Sequence, residues 1–205
     1  MNPHWPIPLV AYLLGSIPFG VLIAKLLGAP DVRSSGSGNI GAANVARTAG
    51  PFAGILTLIC DAGKGYLAVW IAAHWSHGST GARWMIFAAV ASVIGHVFPI
   101  WLRFKGGKGV ATMLGSFIPI SWFAVVAAVL IWILVVGFWR YSSLGSMASA
   151  AALPILIYLF YAPRHAPPEY VTFGTIFVSL LVLVKHSGNV RRLVAGTENR
   201  LTFRR

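Results

Sequence analysis

The chain has 205 residues, of which 57% are hydrophobic and only 10% charged, and its mean hydropathy is +0.76. A water-soluble globule carries about a quarter charged residues, so this composition excludes one and asks for a bilayer. The formal charge of +12 stands against four carboxylates, Asp31, Asp61, Glu169 and Glu198; beside apolar runs of about 20 residues, such basicity points to a membrane surface and away from nucleic acid.

Seven apolar segments are predicted in chain order: residues 5–27, 51–75, 84–102, 110–118, 120–139, 144–161 and 170–185. The first follows a start without a basic n-region and precedes no small-residue cleavage site, so it reads as a retained helix. The fourth is short for a span and stops at Pro119. None shows the period-2 alternation of a membrane barrel, and in lipid only helices and closed barrels satisfy their own backbone. The expectation is an all-α, polytopic membrane bundle of about seven transmembrane helices, forming one domain over residues 1–205 with no internal repeat. A single cysteine, Cys60, leaves no disulfide framework and no cysteine-built metal site.

Charge sets the orientation. With seven spans, Lys25, Arg33, Arg47, Arg103, Lys105, Lys108, Arg140, Lys185, Arg191, Arg192, Arg200, Arg204 and Arg205 fall on one side, and only Arg83 and Arg164 on the other. The positive-inside rule makes the first side cytoplasmic, with the amino terminus outside and the carboxyl terminus in the cytoplasm. Every glycine-rich polar loop lies on that cytoplasmic side.

The first loop contains Gly36-Ser37-Gly38-Asn39-Ile40-Gly41, a formal match to the dinucleotide pattern GxGxxG, with Asp61 about 20 residues on. No strand precedes it and an apolar span follows, so the nucleotide reading fails on context. What survives is a flexible backbone whose N–H groups can converge on an anion, with Ser37 and Asn39 beside it. The second loop, "FKGGKG" at residues 104–109, is not a P-loop, because Lys108 is followed by Gly109 and Leu102 stands where that motif needs glycine. Lys105 and Lys108 bracket Gly106 and Gly107 at the start of a short helix. Two readings stay open, a phosphate cradle and an ordinary basic loop with a tight turn. The third element is "RYSSLGS", residues 140–146, and the tail reads "KHSGNVRRLVAGTEN". Together these polar side chains suit a phosphate-bearing small molecule; attraction to anionic headgroups is the rival use of the same charge.

"GSIPFG", "GSGNIGAANVAR", "GHVFPIWLRFKGGKGVAT" and "KHSGNVRRLVAGTE" resemble, in order and spacing, the motifs of the bacterial acyl-phosphate:glycerol-3-phosphate acyltransferases. The resemblance runs from Gly15 to Glu198. It implies an integral enzyme of the bacterial plasma (inner) membrane, acting at the cytoplasmic face in phospholipid biosynthesis. The implied reaction turns acyl phosphate and glycerol 3-phosphate into 1-acylglycerol 3-phosphate (lysophosphatidate) and phosphate. No cofactor, metal or obligate protein partner is expected, only the two substrates and membrane lipid. One departure is Ala43, where the family pattern leads us to expect threonine.

From the resemblance and donor chemistry together, Ser37, Lys108, His186 and Asn189 are the expected catalytic residues. Gly36, Gly38, Asn39, Gly41, Asn44, Arg47, Lys105, Gly106, Gly107, Arg140 and Ser143 are the expected substrate-binding ones. Ser37, Asn39 and the glycine amides would hold the acyl-phosphate headgroup and Lys108 the leaving phosphate. Arg47, a forked donor, suits glycerol 3-phosphate, and His186 and Asn189 belong beside the glycerol hydroxyls. The bland reading of His186 is a cap on the last span. Glu198 is expected to orient a cation. Thioester-dependent glycerolipid acyltransferases generally carry a His and an Asp with four residues between them; here Trp101 follows His96 at that interval and Arg191 follows His186. Asp61 and Lys64, at i and i+3 inside a span, are expected to pair with each other, and His96 to be structural. His4, His74, His77 and His165 have no expected role. The competing function class is a transporter of a phosphorylated solute, against which stands the clustering of glycines and cations at one membrane edge.

Overall fold

The computed structural model describes residues 4–76, 78–161 and 166–201, and among them it contains ten α-helices, two single 3₁₀ turns and no strand. His77, Arg164, His165, Arg204 and Arg205 lie outside the described residues. The chain gathers into two compact units, Met1–Ile120 and Ser121–Arg205.

In the first unit the run expected at residues 5–27 is two helices, α1 (Pro6–Ser16) and α2 (Phe19–Leu26). Pro18 causes the break: it has no N–H to continue the ladder, and it disfavours helical dihedrals at the residue before it. Ile17 is accordingly extended, with ψ of 118°. A short helix, α3 (Ala42–Ala49), precedes α4 (Pro51–Trp75), whose bounds are those expected and whose Pro51 occupies the first turn, where a missing N–H costs nothing. Next comes α5 (Gly81–Val97), which starts three residues before the expected span and ends at Phe98-Pro99, followed by a 3₁₀ turn over Ile100–Leu102. The short helix α6 (Val110–Phe117) begins where expected.

The second unit holds α7 (Trp122–Trp139), α8 (Ser142–Phe160), α9 (Glu169–Lys185) and α10 (Ser187–Val194). Ser149 on α8 donates to the Ala128 carbonyl on α7 at 2.7 Å, so a polar bond backs the apolar packing of that pair.

The molecule is a multi-pass, all-helical membrane protein. Among the described residues five helical stretches are long and apolar enough to cross a bilayer, counting Pro6–Leu26 and Gly81–Leu102 as one each; α9 and α10, bent by 49°, make a sixth if taken together. With eight residues, α6 rises only about 12 Å, well short of a hydrocarbon core about 30 Å thick. Large apolar side chains such as Ile59, Leu134 and Phe177 are exposed, as lipid-facing residues are.

Candidate active site

The loop before α3 is held from within by an amide. Asn44, in the first turn of α3 and 1% exposed, accepts from the Ser37 N–H at 2.8 Å and donates to the carbonyls of Val32 and Ser35 at 2.9 and 3.0 Å. Both amide hydrogens are thus committed to the loop. Asn44, expected as a substrate contact, serves here as the brace of the loop. Gly36 and Gly38 turn the chain with φ of +60° and +70°, the left-handed region that glycine enters without a Cβ penalty. Gly38 also donates its N–H to Ser35 at 3.1 Å, so the loop amides at 37 and 38 are engaged internally and do not converge on an anion.

The side chains of this region remain well placed. Arg47 Nη2 donates to Ser37 Oγ at 3.3 Å, bringing together two expected site residues ten positions apart. Asn39 is half-buried, and Gly41 is the N-cap of α3. Ala43, the departure from the family pattern, is exposed on α3. Arg33 is turned elsewhere: it grips Asp31 through Nε at 3.0 Å and Nη2 at 2.6 Å, and those hydrogen bonds hold the Asp31 carboxyl down at about 2.

The glycine–lysine loop is built differently from the expectation. A helix leaves its last carbonyls without intrahelical donors, and here the loop supplies them. Gly106 N–H donates to Val97 O at 3.2 Å and Gly107 N–H to His96 O at 3.1 Å, while Tyr12 Oη serves Phe98 O at 2.9 Å. A side chain at Gly106 would strike the His96 and Val97 carbonyls, and one at Gly107 the His96 ring. Gly106 and Gly107 are therefore glycine so that the loop can lie flat on the end of α5, and their amides, expected at the substrate phosphate, donate here to the carbonyls of Val97 and His96. The positive φ values of the loop belong to Phe104, at 62°, and to Gly109, at 86°, the N-cap of α6. Lys105 is exposed and Lys108 half-buried, both beyond this anchored glycine pair.

Beneath the loop lies a buried trio of ionisable side chains. Lys64 Nζ is 2.7 Å from Asp61 Oδ1 and donates to the carbonyl of Ile17, at the α1–α2 break, at 2.7 Å. His96 Nδ1 faces Asp61 Oδ1 at 3.5 Å. All three side chains are under 5% exposed. The expected Asp61–Lys64 pairing is present, and its extension to Ile17 and His96 is new.

In the second unit a carboxylate organises the polar groups. Glu198 Oε1 accepts from Asn189 Nδ2 at 2.7 Å and Ser143 Oγ at 2.9 Å, and Oε2 accepts from Arg192 Nε at 2.8 Å. Burial of the Glu198 carboxyl raises its pKa, but the donors Asn189, Ser143 and Arg192 outweigh that, and the net shift is downward. The Ser143 hydroxyl, expected as a substrate contact, donates its hydrogen to Glu198 here. The expectation that Glu198 holds a cation is met by Arg192, which sequence reasoning did not single out; an arginine six residues before the only carboxylate of the tail was the available signal. His186, buried at the α9–α10 bend, has Nδ1 2.8 Å from Val182 O. A carbonyl only accepts, so Nδ1 carries the proton and Nε2 is the accepting nitrogen. Arg140 is exposed in a left-handed conformation, and its carbonyl accepts the Leu201 N–H at 2.8 Å.

The family profile described as "Glycerol-3-phosphate acyltransferase" matches residues 5–196. The chain is 49% identical over 200 residues to the glycerol-3-phosphate acyltransferase of Syntrophotalea carbinolica, covering 98% of each, and 47% identical to that of Trichlorobacter lovleyi, covering 93% of each. Among solved structures it resembles crystal structures of PlsY (YgiH), an integral membrane glycerol 3-phosphate acyltransferase. In the glycerol 3-phosphate form the TM-score is 0.89 at 36% identity, covering 98% of this chain and 96% of that one; in the lysophosphatidic acid form it is 0.86 at 35%, with the same coverage.

Proposed function

The chain belongs to the glycerol-3-phosphate acyltransferase family, and from that premise we propose that it takes its acyl group from acyl phosphate and delivers it to glycerol 3-phosphate, releasing lysophosphatidate and inorganic phosphate. The observation that carries the reading is the meeting of Arg47 with Ser37 over a loop that Asn44 holds rigid. A fixed guanidinium fork beside a hydroxyl is suited to a phosphate monoester. The acyl-phosphate donor is supported by the lack of a His–Asp pair at the thioester-enzyme spacing and by the cations Lys105 and Lys108 next to an anchored loop.

In this reading the glycerol hydroxyl oxygen attacks the acyl carbonyl carbon, the bond from that carbon to the phosphate oxygen breaks, and the hydroxyl proton leaves with the phosphate. Phosphate is a good leaving group, so the protein's part is positioning and charge stabilisation more than proton abstraction. Lys108 meets the charge that grows on the departing phosphate. Arg47 and Ser37 hold the acceptor's phosphate, and Asn39 contributes its amide there. His186 offers Nε2 to a glycerol hydroxyl, with its Nδ1–H directing the ring, and Asn189 assists from its tether to Glu198. Residues 1–205 act as one acyltransferase domain, in the bacterial inner membrane with this chemistry on the cytoplasmic side.

The test uses purified protein with glycerol 3-phosphate and either acyl phosphate or acyl-CoA. Lysophosphatidate and phosphate should appear in equal amounts from acyl phosphate alone. Product from acyl-CoA only would replace the donor assignment. For orientation, with Cys60 replaced, a cysteine at Ser79 should label from outside the cell and one at Ser35 should not; labelling at Ser35 would reverse the topology.

A further inference from the structure

The ionisable trio under the glycine–lysine loop has no part in the reaction derived above, yet burying such groups is costly. Ionisable side chains inside membrane segments face the protein interior and mark functional sites or paired networks. Pairing accounts for Asp61 and Lys64 but leaves His96 unexplained, because a neutral or apolar residue would fill its place more cheaply. Its surroundings supply the reason.

One edge of the ring, at Nδ1, faces Asp61 Oδ1 at 3.5 Å, the same oxygen that Lys64 Nζ holds at 2.7 Å, and Nδ1 makes no other hydrogen bond. The opposite edge, at Nε2, abuts the α-carbon of Gly107, where a Cβ would collide with it. The same residue's carbonyl receives the Gly107 N–H at 3.1 Å. His96 thus touches Gly107 with both its backbone and its ring, one residue before Lys108. On the far side, Asp61 is held by Lys64, and Lys64 by the Ile17 carbonyl at 2.7 Å, with the Phe19 ring centroid 5.7 Å from Nζ. From Phe19 the chain runs directly to Gly20, where an added Cβ would collide with Ile40 O of the loop that carries Ser37 and Asn39. The trio therefore lies on a continuous line of contacts between the two loops that carry the expected phosphate ligands of this unit.

We propose that His96, set by the Asp61–Lys64 pair, is a positioning residue that fixes the height and register of Gly107 and so of the Lys108 ammonium relative to the Gly36–Gly41 loop. The inference rests on the assignment of Lys108 to the leaving phosphate. It predicts that disturbing His96 acts on the donor's chemistry and leaves acceptor affinity nearly unchanged, because Arg47 and Ser37 are held separately by Asn44.

Four variants in the purified, full-length protein test this, His96→Asn alone serving as the reference for the double variant. His96→Phe keeps a ring against Gly107 but has no nitrogen for Asp61; its kcat should fall about 10–100-fold, the size expected for sub-ångström to ångström misplacement of a catalytic group, with KM for glycerol 3-phosphate within about twofold. Gly107→Ala drives a methyl into the ring and should be more severe. Because Gly107 does not need a positive φ, its defect is steric. The double variant Gly107→Ala with His96→Asn, whose amide nitrogen stands where Nδ1 was while the far half of the ring is gone, should recover about tenfold of the kcat lost in Gly107→Ala alone.

A wild-type kcat in folded His96→Phe overturns the inference, as does a double variant no better than the product of its two singles. If His96→Phe fails to fold, the rescue by His96→Asn still decides. The dependence on Lys108 separates the two levels. With Lys108→Ala impaired and no His96 effect, only the positioning role falls; with Lys108→Ala at normal turnover, the leaving-phosphate assignment falls and the inference with it.

Discussion

The loop around Gly36–Arg47 and the tail around Glu198 both gather expected site residues, but they hold them in opposite ways. At the first, the brace is a neutral amide: Asn44 ties down backbone groups within 12 residues and makes no charge pair, so the charge of Arg47 is not needed to hold the loop. At the second, the brace is itself charged. Glu198 draws in Ser143 from α8, Asn189 from α10 and Arg192, bridging up to 55 positions of sequence. An arginine beside a neutral brace is available as a ligand, whereas one paired with a buried carboxylate belongs to the fold. Arg47 and Arg192 look alike in sequence and differ for this reason.

Variants sharpen the contrast in order of size. Lys108→Ala should lower kcat by about 10²–10³-fold, the usual cost of removing one group that stabilises transition-state charge, with the protein still folded and inserted. Near-normal turnover would reduce "FKGGKG" to a topology signal and a turn. Arg47→Ala should raise KM for glycerol 3-phosphate by about 30-fold or more, as loss of a charge-assisted contact costs about 2–5 kcal/mol, and change KM for acyl phosphate much less. Arg192→Ala should do the reverse, lowering the thermal midpoint with KM for glycerol 3-phosphate little altered; matching KM effects in the two variants would erase the distinction.

Asn44→Asp tests the neutral brace. A carboxylate still accepts from Ser37 but cannot donate to Val32 or Ser35; Ser35 O keeps the Gly38 N–H, and the buried Val32 carbonyl is left unsatisfied at about 1–3 kcal/mol. Thermal unfolding should occur at lower temperature, and an unchanged midpoint would mean the loop does not depend on Asn44. The smallest effect is a pH dependence at Glu198. Its folded pKa is depressed, so it contributes stability that is complete above the ordinary carboxylate range and is lost as pH falls through the lowered folded value. Glu198→Gln should flatten that acid limb of stability; an identical acid limb in wild type and variant would assign it to other carboxylates.

Much of this architecture was legible in the sequence. Hydropathy located α4 to the residue and α6 at its first residue, because length and apolarity are local properties. The break at Ile17-Pro18 was visible as a proline but lay within an otherwise continuous apolar run, and its use became clear only through Lys64, 47 residues away. Residue types around the site were also legible, but the Arg47–Ser37 meeting was not: the two were expected on different substrates, Ser37 at the acyl-phosphate headgroup and Arg47 at glycerol 3-phosphate. Hydrogen-bond commitments were not legible either. Whether Gly106, Gly107, Asn44 and Ser143 face a ligand or the protein depends on which carbonyls and carboxylates tertiary packing brings to them, and glycine spacing alone is the same in either case.

The carbonyl at the α1–α2 break has a consequence for how the chain is made. Synthesis proceeds from the amino terminus, and early segments fold first. The Ile17 carbonyl, turned out of the helical ladder at the Pro18 break, is in place before α4 emerges. When Lys64 arrives it brings Asp61 on the same helix face, so the pair enters the bilayer with no net charge and finds an acceptor already waiting. His96, which needs both, is synthesised last of the three. The partners therefore appear in the order in which each is required, and at no stage must this part of the chain carry an unmatched charge into lipid.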